Sequence, residues 1–353
     1  MSMIKFLVNC YSAMIWNREK RHAVRDVLLT PLPNPNETFV PVGGFLDHGE
    51  IDWGTYMLTH DMREKVSALR QGLDDASNRL LDLIFSRMTI FPRGHYRLPW
   101  NYKIRETYLR SFFYTPEELD GEKTYWAELP QYNTEFPMDA PEYNPDVFLY
   151  HCGLKNKNEK LKKYINGKDF VDGGAYIGDS ALFYIKRYAP RCVYSFEISK
   201  KTCMRYENTM RINSISADRY KLCRMGLSDK KSEILMHDSG GQGTSILDQG
   251  NDMVQVTDLD SFVIENNLHV GFVKCDLEGA GLEGTLGMAE TIKRDRPVLN
   301  IAIYHNPKEF FEIKPALEKI TVGLDYKITI ERHHPLNDRM VEVVVFAYPK
   351  ELE

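Results

Sequence analysis

The pattern of hydrophobic and polar positions in this chain changes near residue 170. Before it, apolar residues recur three and four positions apart over 53–88, with Leu69, Leu73 and Leu80 on one stripe, which predicts a long amphipathic helix. After it, short apolar runs alternate with helical patterns, which predicts an α/β layered sheet. The runs that we interpret as strands start at 170 and at 270, and occupy 192–196, 220–227, 298–304, 326–331 and 340–348.

The first of these runs breaks into a glycine turn. Asp172 ends the run, and Gly174 and Gly178 bracket the turn before apolar residues resume. Glycines let the backbone approach a ligand closely, and a following helix offers free N–H groups at its start. The G-x-G-x-x-G pattern of dinucleotide sites fails here, because Ala175 stands where the central glycine is needed. The spacing D-x-G-x-x-x-G is instead typical of S-adenosylmethionine (SAM) sites in class I methyltransferases.

Polar residues also follow the second and third predicted strands. Glu197 comes 25 positions after Asp172, and an acid at the comparable place in dinucleotide sites binds the ribose. Ser228 and Asp229 follow the third predicted strand, where side chains would lie near an adenine ring. The sequence therefore predicts a nucleoside-binding edge beside the glycine turn.

Charged residues appear where the fourth predicted strand ends. Lys274, Asp276 and Glu278 alternate, so in an extended chain they share one side. Charges in a buried strand are costly unless they are paired or functional. The stretch is therefore either a Lys–Asp pair that caps a helix at 279–294 or part of a catalytic site. His305 follows the next strand and is the best placed of the ten histidines for proton transfer.

Five blocks of this sequence together resemble the FkbM family of SAM-dependent methyltransferases. They lie at 170–178, 196–197, 226–229, 257–260 and 274–279. The resemblance covers roughly 150–349 and implies a doubly wound, mostly parallel sheet of seven strands, six of them parallel and the last inserted antiparallel. It also implies SAM as the cofactor and O-methylation of a sugar, a glycan or a natural-product-like small molecule.

The resemblance implies a role for each motif position. The cofactor-binding residues are Asp172, Gly174 and Gly178 for the methionine end, Glu197 for the ribose, and Ser228 and Asp229 for the adenine edge. Asp276 would lie beside the sulfonium. The sequence departs from many relatives at Tyr304, which stands where an acid precedes the histidine of the fifth strand.

The hydroxyl group of an acceptor needs a base that removes its proton. We predict that Asp276 or His305 is the base and that Glu278 or Lys274 orients it. A divalent ion bound by Asp276 and His305 would be another means of activation. The predicted site itself includes no metal.

The first half of the chain carries no motif of this kind. We predict an accessory region at 1–149, partly helical, that acts as a substrate cap or in dimerisation, and a SAM-binding methyltransferase domain at 150–353. The apolar stripe over 53–88 is either a homodimer seam or a helix packed on its own domain. Prolines at 115–146 predict no long helix there, and the segment is either a substrate cover or a surface connector. A polar loop at 239–245 is a further place that could meet a substrate.

Composition limits the partners of this protein. Its 353 residues carry a net charge of −5 and 43% hydrophobic residues, which gives no attraction to nucleic acid or to an anionic membrane. Six scattered cysteines are predicted to be buried free thiols, and no apolar run reaches the roughly 20 residues of a membrane span. These features predict a cytoplasmic protein. Two other functions stay open: a non-catalytic partner in a polysaccharide or biosynthetic assembly, and a nicotinamide-dependent oxidoreductase, which Ala175 and Asp172 disfavour.

Overall fold

The computed structural model describes residues 53, 56–90, 115–139, 141–236, 252–334 and 342–353. The helices before the first strand are α1 (Met62–Arg70), α2 (Asp75–Ile90), α3 (Pro116–Glu135), α4 (Pro145–Phe148) and α5 (Glu159–Ile165). The next elements are β1 (Asp169–Gly173), α6 (Asp179–Arg187), β2 (Val193–Phe196), α7 (Lys200–Ile212), β3 (Tyr220–Cys223), β4 (Gly226–Leu227), β5 (Ser232–Met236), β6 (Asp252–Thr257) and α8 (Leu259–Glu265). The last are β7 (Val270–Cys275), α9 (Gly281–Leu286), α10 (Ala289–Asp295), β8 (Val298–Ala302), α11 (Pro307–Ile320), β9 (Tyr326–Arg332) and β10 (Val343–Pro349). The predicted polar loop at 239–245 lies outside the described residues.

Seven strands form the main sheet, in the order β3-β2-β1-β7-β8-β10-β9. Neighbours from β3 to β8 pair in parallel, and β10 is antiparallel to both β8 and β9. Six strands therefore run in one direction with β10 inserted against them, which confirms the predicted sheet. The strand order reverses at β1, and ligands of such sheets bind outside the carboxyl ends of the strands at this point. The glycine turn follows β1 and lies there.

A second sheet of three strands, β4-β6-β5, was not predicted. The single strand expected at 220–227 is divided, because the chain turns after Cys223, whose carbonyl accepts a hydrogen bond of 2.8 Å from the N–H of Met225. Strand β3 stays in the main sheet, whereas β4 pairs with β6. Strand β4 has too few residues to show a hydrophobic period in the sequence.

The prediction that no long helix forms at 115–146 was wrong, because α3 has 20 residues. It begins with a capping box in which Thr115 and Glu118 each bind the other's backbone N–H. Pro116 lies in the first turn, where its missing N–H would have no partner in the helix. Pro130 lies inside the helix, and the helix continues past it to the buried Tyr132.

Two other predicted helices are each divided into two in the structure. The pattern at 53–88 divides into α1 and α2 around Gly72, which has a φ of +69°. The pattern at 279–294 divides into α9 and α10 around Gly287. A Cβ on Gly287 would lie 2.0 Å from the carbonyl oxygen of Ser228, so the chain packs closely at this break.

Helices α1 and α2 cover one face of the sheet. Leu69 and Leu81 are buried in one apolar cluster with Phe310 and Phe311 of α11. The hydroxyl of Ser77 in α2 also accepts a hydrogen bond of 2.9 Å from the backbone of β9. The apolar stripe thus packs within its own chain, which is the second of its two predicted roles. A homodimer through another surface stays a prediction.

Helices α3 and α4 lie over the opposite face. Tyr132 and Phe148 are buried with Phe170 of β1 and Phe183 of α6, whereas Val171, the next residue of β1, belongs to the other cluster. Residues on both sides of position 150 thus share one apolar cluster, and the division there stays a prediction.

The structure also bears on the cysteines and on membrane-spanning helices. Among the described residues, Cys152, Cys192, Cys203, Cys223 and Cys275 are buried free thiols, as predicted. No helix in the described ranges has both the length and the apolar character that a bilayer span requires.

Candidate active site

The glycine turn between β1 and α6 depends on two left-handed glycines. Gly174 has a φ of +74°, and a Cβ there would lie 1.9 Å from the carbonyl oxygen of Asp276. Gly178 has a φ of +80° at the start of α6, and a Cβ there would lie 2.7 Å from the ring of Tyr206. Both positions combine a conformation that favours glycine with a close approach that excludes a side chain. The turn is therefore fixed against the end of β7 on one side and against α7 on the other.

Asp172 is buried beneath this turn with 0% of its surface exposed. Its Oδ2 accepts a hydrogen bond of 2.6 Å from Ser180, and its Oδ1 lies 3.6 Å from Nζ of Lys274. Among the described residues, Oδ1 has no hydrogen-bond partner. Burial raises the pKa of Asp172, although the charge of Lys274 opposes the rise. A buried carboxylate oxygen without a donor suits an ammonium group, because an unpaired buried acceptor is costly.

Lys274 connects Asp172 to the turn. Its Nζ donates a hydrogen bond of 2.8 Å to the carbonyl of Gly174. Burial disfavours its charge, but the carboxylates of Asp172, Asp276 and Asp146 outweigh that effect and raise the pKa of Lys274 well above its ordinary value. Lys274 is therefore a buried cation in contact with both Asp172 and the glycine turn. The Lys–Asp pair that the sequence offered as the alternative to a catalytic site is thus present, but it joins β7 to β1.

Glu197 follows β2 and binds two backbone N–H groups. Its Oε1 accepts from Ser199 at 2.8 Å, and its Oε2 accepts from Tyr176 in the glycine turn at 2.9 Å. Burial raises the pKa of Glu197, and these hydrogen bonds oppose the rise. Glu197 thus ties the glycine turn to the end of β2.

Ser228 and Asp229 follow β4 and not the tip of β3, because the predicted third strand is divided. Ser228 is half-buried and Asp229 is exposed. Leu227, just before them, belongs to the wall of the turn: one of its methyl groups would lie 3.1 Å from a Cβ on Gly173 at the end of β1. The pair thus lies beside the carboxyl end of β1, although on a different strand from the one predicted.

Asp276 and Tyr304 meet between the ends of β7 and β8. The backbone N–H of Asp276 donates to the carbonyl of Gly173 at 2.9 Å, which ties β7 to β1. The hydroxyl of Tyr304 lies 3.4 Å from both carboxylate oxygens of Asp276. Burial disfavours ionisation of Asp276, but the hydrogen bond with His305 and the charges of His305 and Lys274 outweigh it, and its pKa falls to about 2.

His305 lies among three carboxylates. Its Nε2 is 3.0 Å from Oδ1 of Asp276 and 3.6 Å from Oε2 of Glu278, and its Nδ1 is 3.0 Å from Oε2 of Glu309. Burial disfavours the imidazolium, but these carboxylates raise the pKa of His305 well above its ordinary value. The three carboxylates therefore favour the protonated form of His305.

Three buried acids around this site were missed by sequence reasoning. Burial raises the pKa of Asp146, in α4, to about 7 and that of Asp179, at the start of α6, to about 6; in both cases the charge of Lys274 opposes the rise. Burial and the charge of Asp146 raise the pKa of Glu342, just before β10. Asp146 and Glu342 carry no motif signal, because only the folded chain brings them near Lys274. No group of three or more His, Cys, Asp or Glu in the described ranges has the arrangement of a metal site.

The sheet order, the inserted antiparallel strand and the glycine turn at the β1 switch point define a class I methyltransferase fold, for which SAM is the cofactor. Oδ1 of Asp172, which accepts no hydrogen bond from the described residues, suits the ammonium of that cofactor, and the carboxylate of Glu197 lies beside the same turn. Residues 172–342 match the methyltransferase FkbM domain, which agrees with the predicted resemblance to that family.

Several solved structures are similar to this chain, and one of them has a TM-score above 0.5. The crystal structure of methyltransferase FkbM from Methylobacillus flagellatus matches at 17% identity with a TM-score of 0.54, over 84% of this chain and 61% of that chain. This chain thus spans about three fifths of the length of that protein. An rRNA methylase from Streptococcus thermophilus matches at 16% identity (TM-score 0.30; 54% of this chain, 89% of that chain). Fibrillarin from Aeropyrum pernix, solved with bound SAM, matches at 14% (TM-score 0.33; 57% and 73%). None of the curated proteins matches significantly.

Proposed function

We propose that this protein transfers a methyl group from SAM to a hydroxyl of a sugar, a glycan or a natural-product-like small molecule. The observation that supports it most is the pairing of two sites at the carboxyl end of the sheet. One is the glycine turn with Oδ1 of Asp172, which accepts no hydrogen bond from the described residues. The other is the carboxylate of Asp276, whose backbone N–H is bound to Gly173 at the start of that turn.

On the cofactor side, each residue binds a different part of SAM. Asp172 receives the ammonium, which supplies the donor that its Oδ1 lacks. Glu197 accepts the ribose hydroxyls while holding Tyr176 of the turn. Ser228 and Asp229 border the adenine edge.

On the acceptor side, Asp276 is the base. When bound, SAM supplies a methyl group on a positively charged sulfur, so the protein has to align the acceptor and remove its proton. With SAM bound, Asp276 would take up the proton that the acceptor hydroxyl loses. The carboxylates around His305 favour its protonated form, which has no site for this proton, and its charge keeps Asp276 ionised. Glu278 lies against the same imidazole.

The acid-rich surroundings support a polyhydroxylated acceptor. Carboxylates accept hydrogen bonds from hydroxyl groups, and Asp276 and Glu278 are partly exposed. They would also offset the positive charge of the sulfonium.

The test uses SAM labelled in its methyl group and a panel of sugars, nucleotide sugars and phenolic compounds. We expect label in at least one hydroxyl compound, and about 10²–10⁴-fold less of it with Asp276→Asn, the usual effect of removing a general base. Asp139→Asn is the control, because Asp139 binds Asn208 at the surface. SAM binding without transfer to any acceptor would favour the non-catalytic alternative, and full activity of Asp276→Asn would remove Asp276 from the mechanism.

A further inference from the structure

Glu309 is a fully buried carboxylate that no sequence motif identified. It lies in the first turn of α11, where its backbone N–H binds the N-cap side chain of Asn306 at 2.8 Å. Its Oε2 lies 3.0 Å from Nδ1 of His305, and its Oε1 accepts a hydrogen bond of 2.6 Å from the N–H of Gly281. Both oxygens are therefore engaged, one by the end of β8 and one by the start of α9.

The chain around Gly281 is shaped for this contact. A Cβ on Gly281 would lie 2.8 Å from Oε1 of Glu309, so a side chain there would displace the carboxylate. Gly281 follows the segment that carries Asp276 and Glu278. Glu309 thus joins the two strand ends that supply the acceptor side of the site.

His305 faces charged groups from each element packed against it. Asp276 and Glu278 approach its Nε2 from the segment after β7, and Glu309 approaches its Nδ1 from α11. Glu342 interacts with it electrostatically from the start of β10, and the ring of Tyr304 lies 4.1 Å from its own. Nε2 lies 3.0 Å from Oδ1 of Asp276 and Nδ1 lies 3.0 Å from Oε2 of Glu309, so the direction of Nε2 depends on what Nδ1 binds.

We propose that Glu309 is a positioning residue of the methyl-transfer site, which holds Nδ1 of His305 protonated and thereby directs Nε2 at Asp276. Its role in catalysis rests on the function proposed above, but its effect on His305 can be measured in the ligand-free protein. A carboxylate on one ring nitrogen fixes the state of the other, and two acids on opposite sides of the ring keep it doubly protonated. Asp276 is then left as the only group of the pair that can accept a proton.

The first test is an NMR titration of the histidine side chains in the ligand-free protein, with His305 assigned from the spectrum of His305→Gln. We expect His305 to stay protonated above about pH 6.5, the ordinary histidine pKa. In Glu309→Gln its midpoint should fall by about one to three pH units, because an opposite charge at this distance is lost. Glu309→Asp should restore part of the shift. Glu312→Gln is the matched control on the same helix, since Glu312 binds Lys65 and Tyr56, and it should leave the midpoint unchanged.

Equal midpoints in the wild type and Glu309→Gln would overturn the proposal. If Glu309→Gln fails to fold, the wild type decides alone, because deprotonation of His305 at or below about pH 6.5 would contradict a charge-stabilising carboxylate. Once an acceptor is known, Glu309→Gln should lower kcat at least tenfold and leave the KM for SAM unchanged. An absence of methyl transfer would refute the proposed function and leave the titration result valid.

Discussion

Gly174 and Gly167 have the same left-handed backbone but different surroundings. Their φ angles are +74° and +72°. A Cβ on Gly174 would lie 1.9 Å from the carbonyl oxygen of Asp276, whereas a Cβ on Gly167 would meet nothing within 4 Å. The two residues therefore separate the cost of the backbone conformation from the cost of breaking the contact between the turn and β7.

We predict that Gly167→Ala lowers the free energy of unfolding by about 1–2 kcal/mol, the cost of a left-handed alanine, and leaves SAM affinity unchanged. Gly174→Ala should cost more than about 3 kcal/mol, because backbone must also move, and should weaken SAM binding at least tenfold. Urea denaturation and calorimetric titration measure both. Equal losses in the two variants would mean that the close approach to Asp276 has no energetic role.

The pair of Asp276 and His305 predicts a pH dependence. The raised pKa of His305 means that its stabilising charge is complete below about pH 6.5 and is lost as the pH rises through the folded-state value. The pKa of Asp276, lowered to about 2, means that its contribution is present above about pH 3.9 and is lost as the pH falls toward 2. His305→Gln should therefore destabilise the protein more near pH 6 than at alkaline pH. Denaturation curves across pH test this, and a constant difference would contradict it.

The residues of this site that could be predicted lie in one contiguous motif or directly after a predicted strand. The turn from Asp172 to Gly178 is one contiguous stretch, so its spacing alone indicated the ligand. Glu309 and Asp146 reach the site through α11 and α4, and a single sequence does not show which buried acids the fold brings together. Glu309 stands four positions after His305, the spacing of neighbours on a helix face, and that was the one available signal.

At the scale of elements, α3 differs most from expectation. Its two prolines occupy different positions, since Pro116 is in the first turn and Pro130 is in the interior. Both are exposed, so neither ring contributes much packing. Pro130 removes a backbone hydrogen bond from the helix, whereas Pro116 removes none.

We predict that Pro130→Ala raises the free energy of unfolding by about 1–3 kcal/mol, because alanine restores the hydrogen bond and is the better helix former. Pro116→Ala, the matched control, should change stability by less than about 0.5 kcal/mol. Urea denaturation compares the two. If Pro130→Ala were no more stable than the wild type, Pro130 would cost α3 little.

The order of strands and helices was predictable because hydrophobic runs and helical periods alternate clearly after residue 170. Element bounds were less predictable. Gly72 and Gly287 break helices whose apolar period continues across them, and β4 has only two residues. Local pattern does not show which sheet so short a strand joins.

At the scale of the whole molecule, helices from the first half of the chain complete the core. Leu69 and Leu81 pack with Phe310 on one face, and Phe148 packs with Phe183 on the other. Removal of these helices would expose apolar residues on both faces of the sheet.

We predict that a chain shortened to residues 150–353 unfolds without a cooperative transition. Each large apolar side chain removed takes with it about 1.5–3 kcal/mol of burial, and several are lost. Circular dichroism during thermal unfolding, together with binding of a hydrophobic dye, checks this. A cooperative transition at the temperature of the full chain would show that 150–353 is stable by itself.

The binding of SAM tests the central claim most directly, which is that Asp172 and the glycine turn hold the cofactor. In calorimetric titrations of the full chain, SAM and S-adenosylhomocysteine should each bind at one site. Asp172→Asn should weaken SAM about 10–100-fold, the effect of losing a hydrogen bond to a charged group, while Asp218→Asn at the exposed surface should not. Absence of heat with both ligands, or equal affinity in Asp172→Asn and the wild type, would contradict the account.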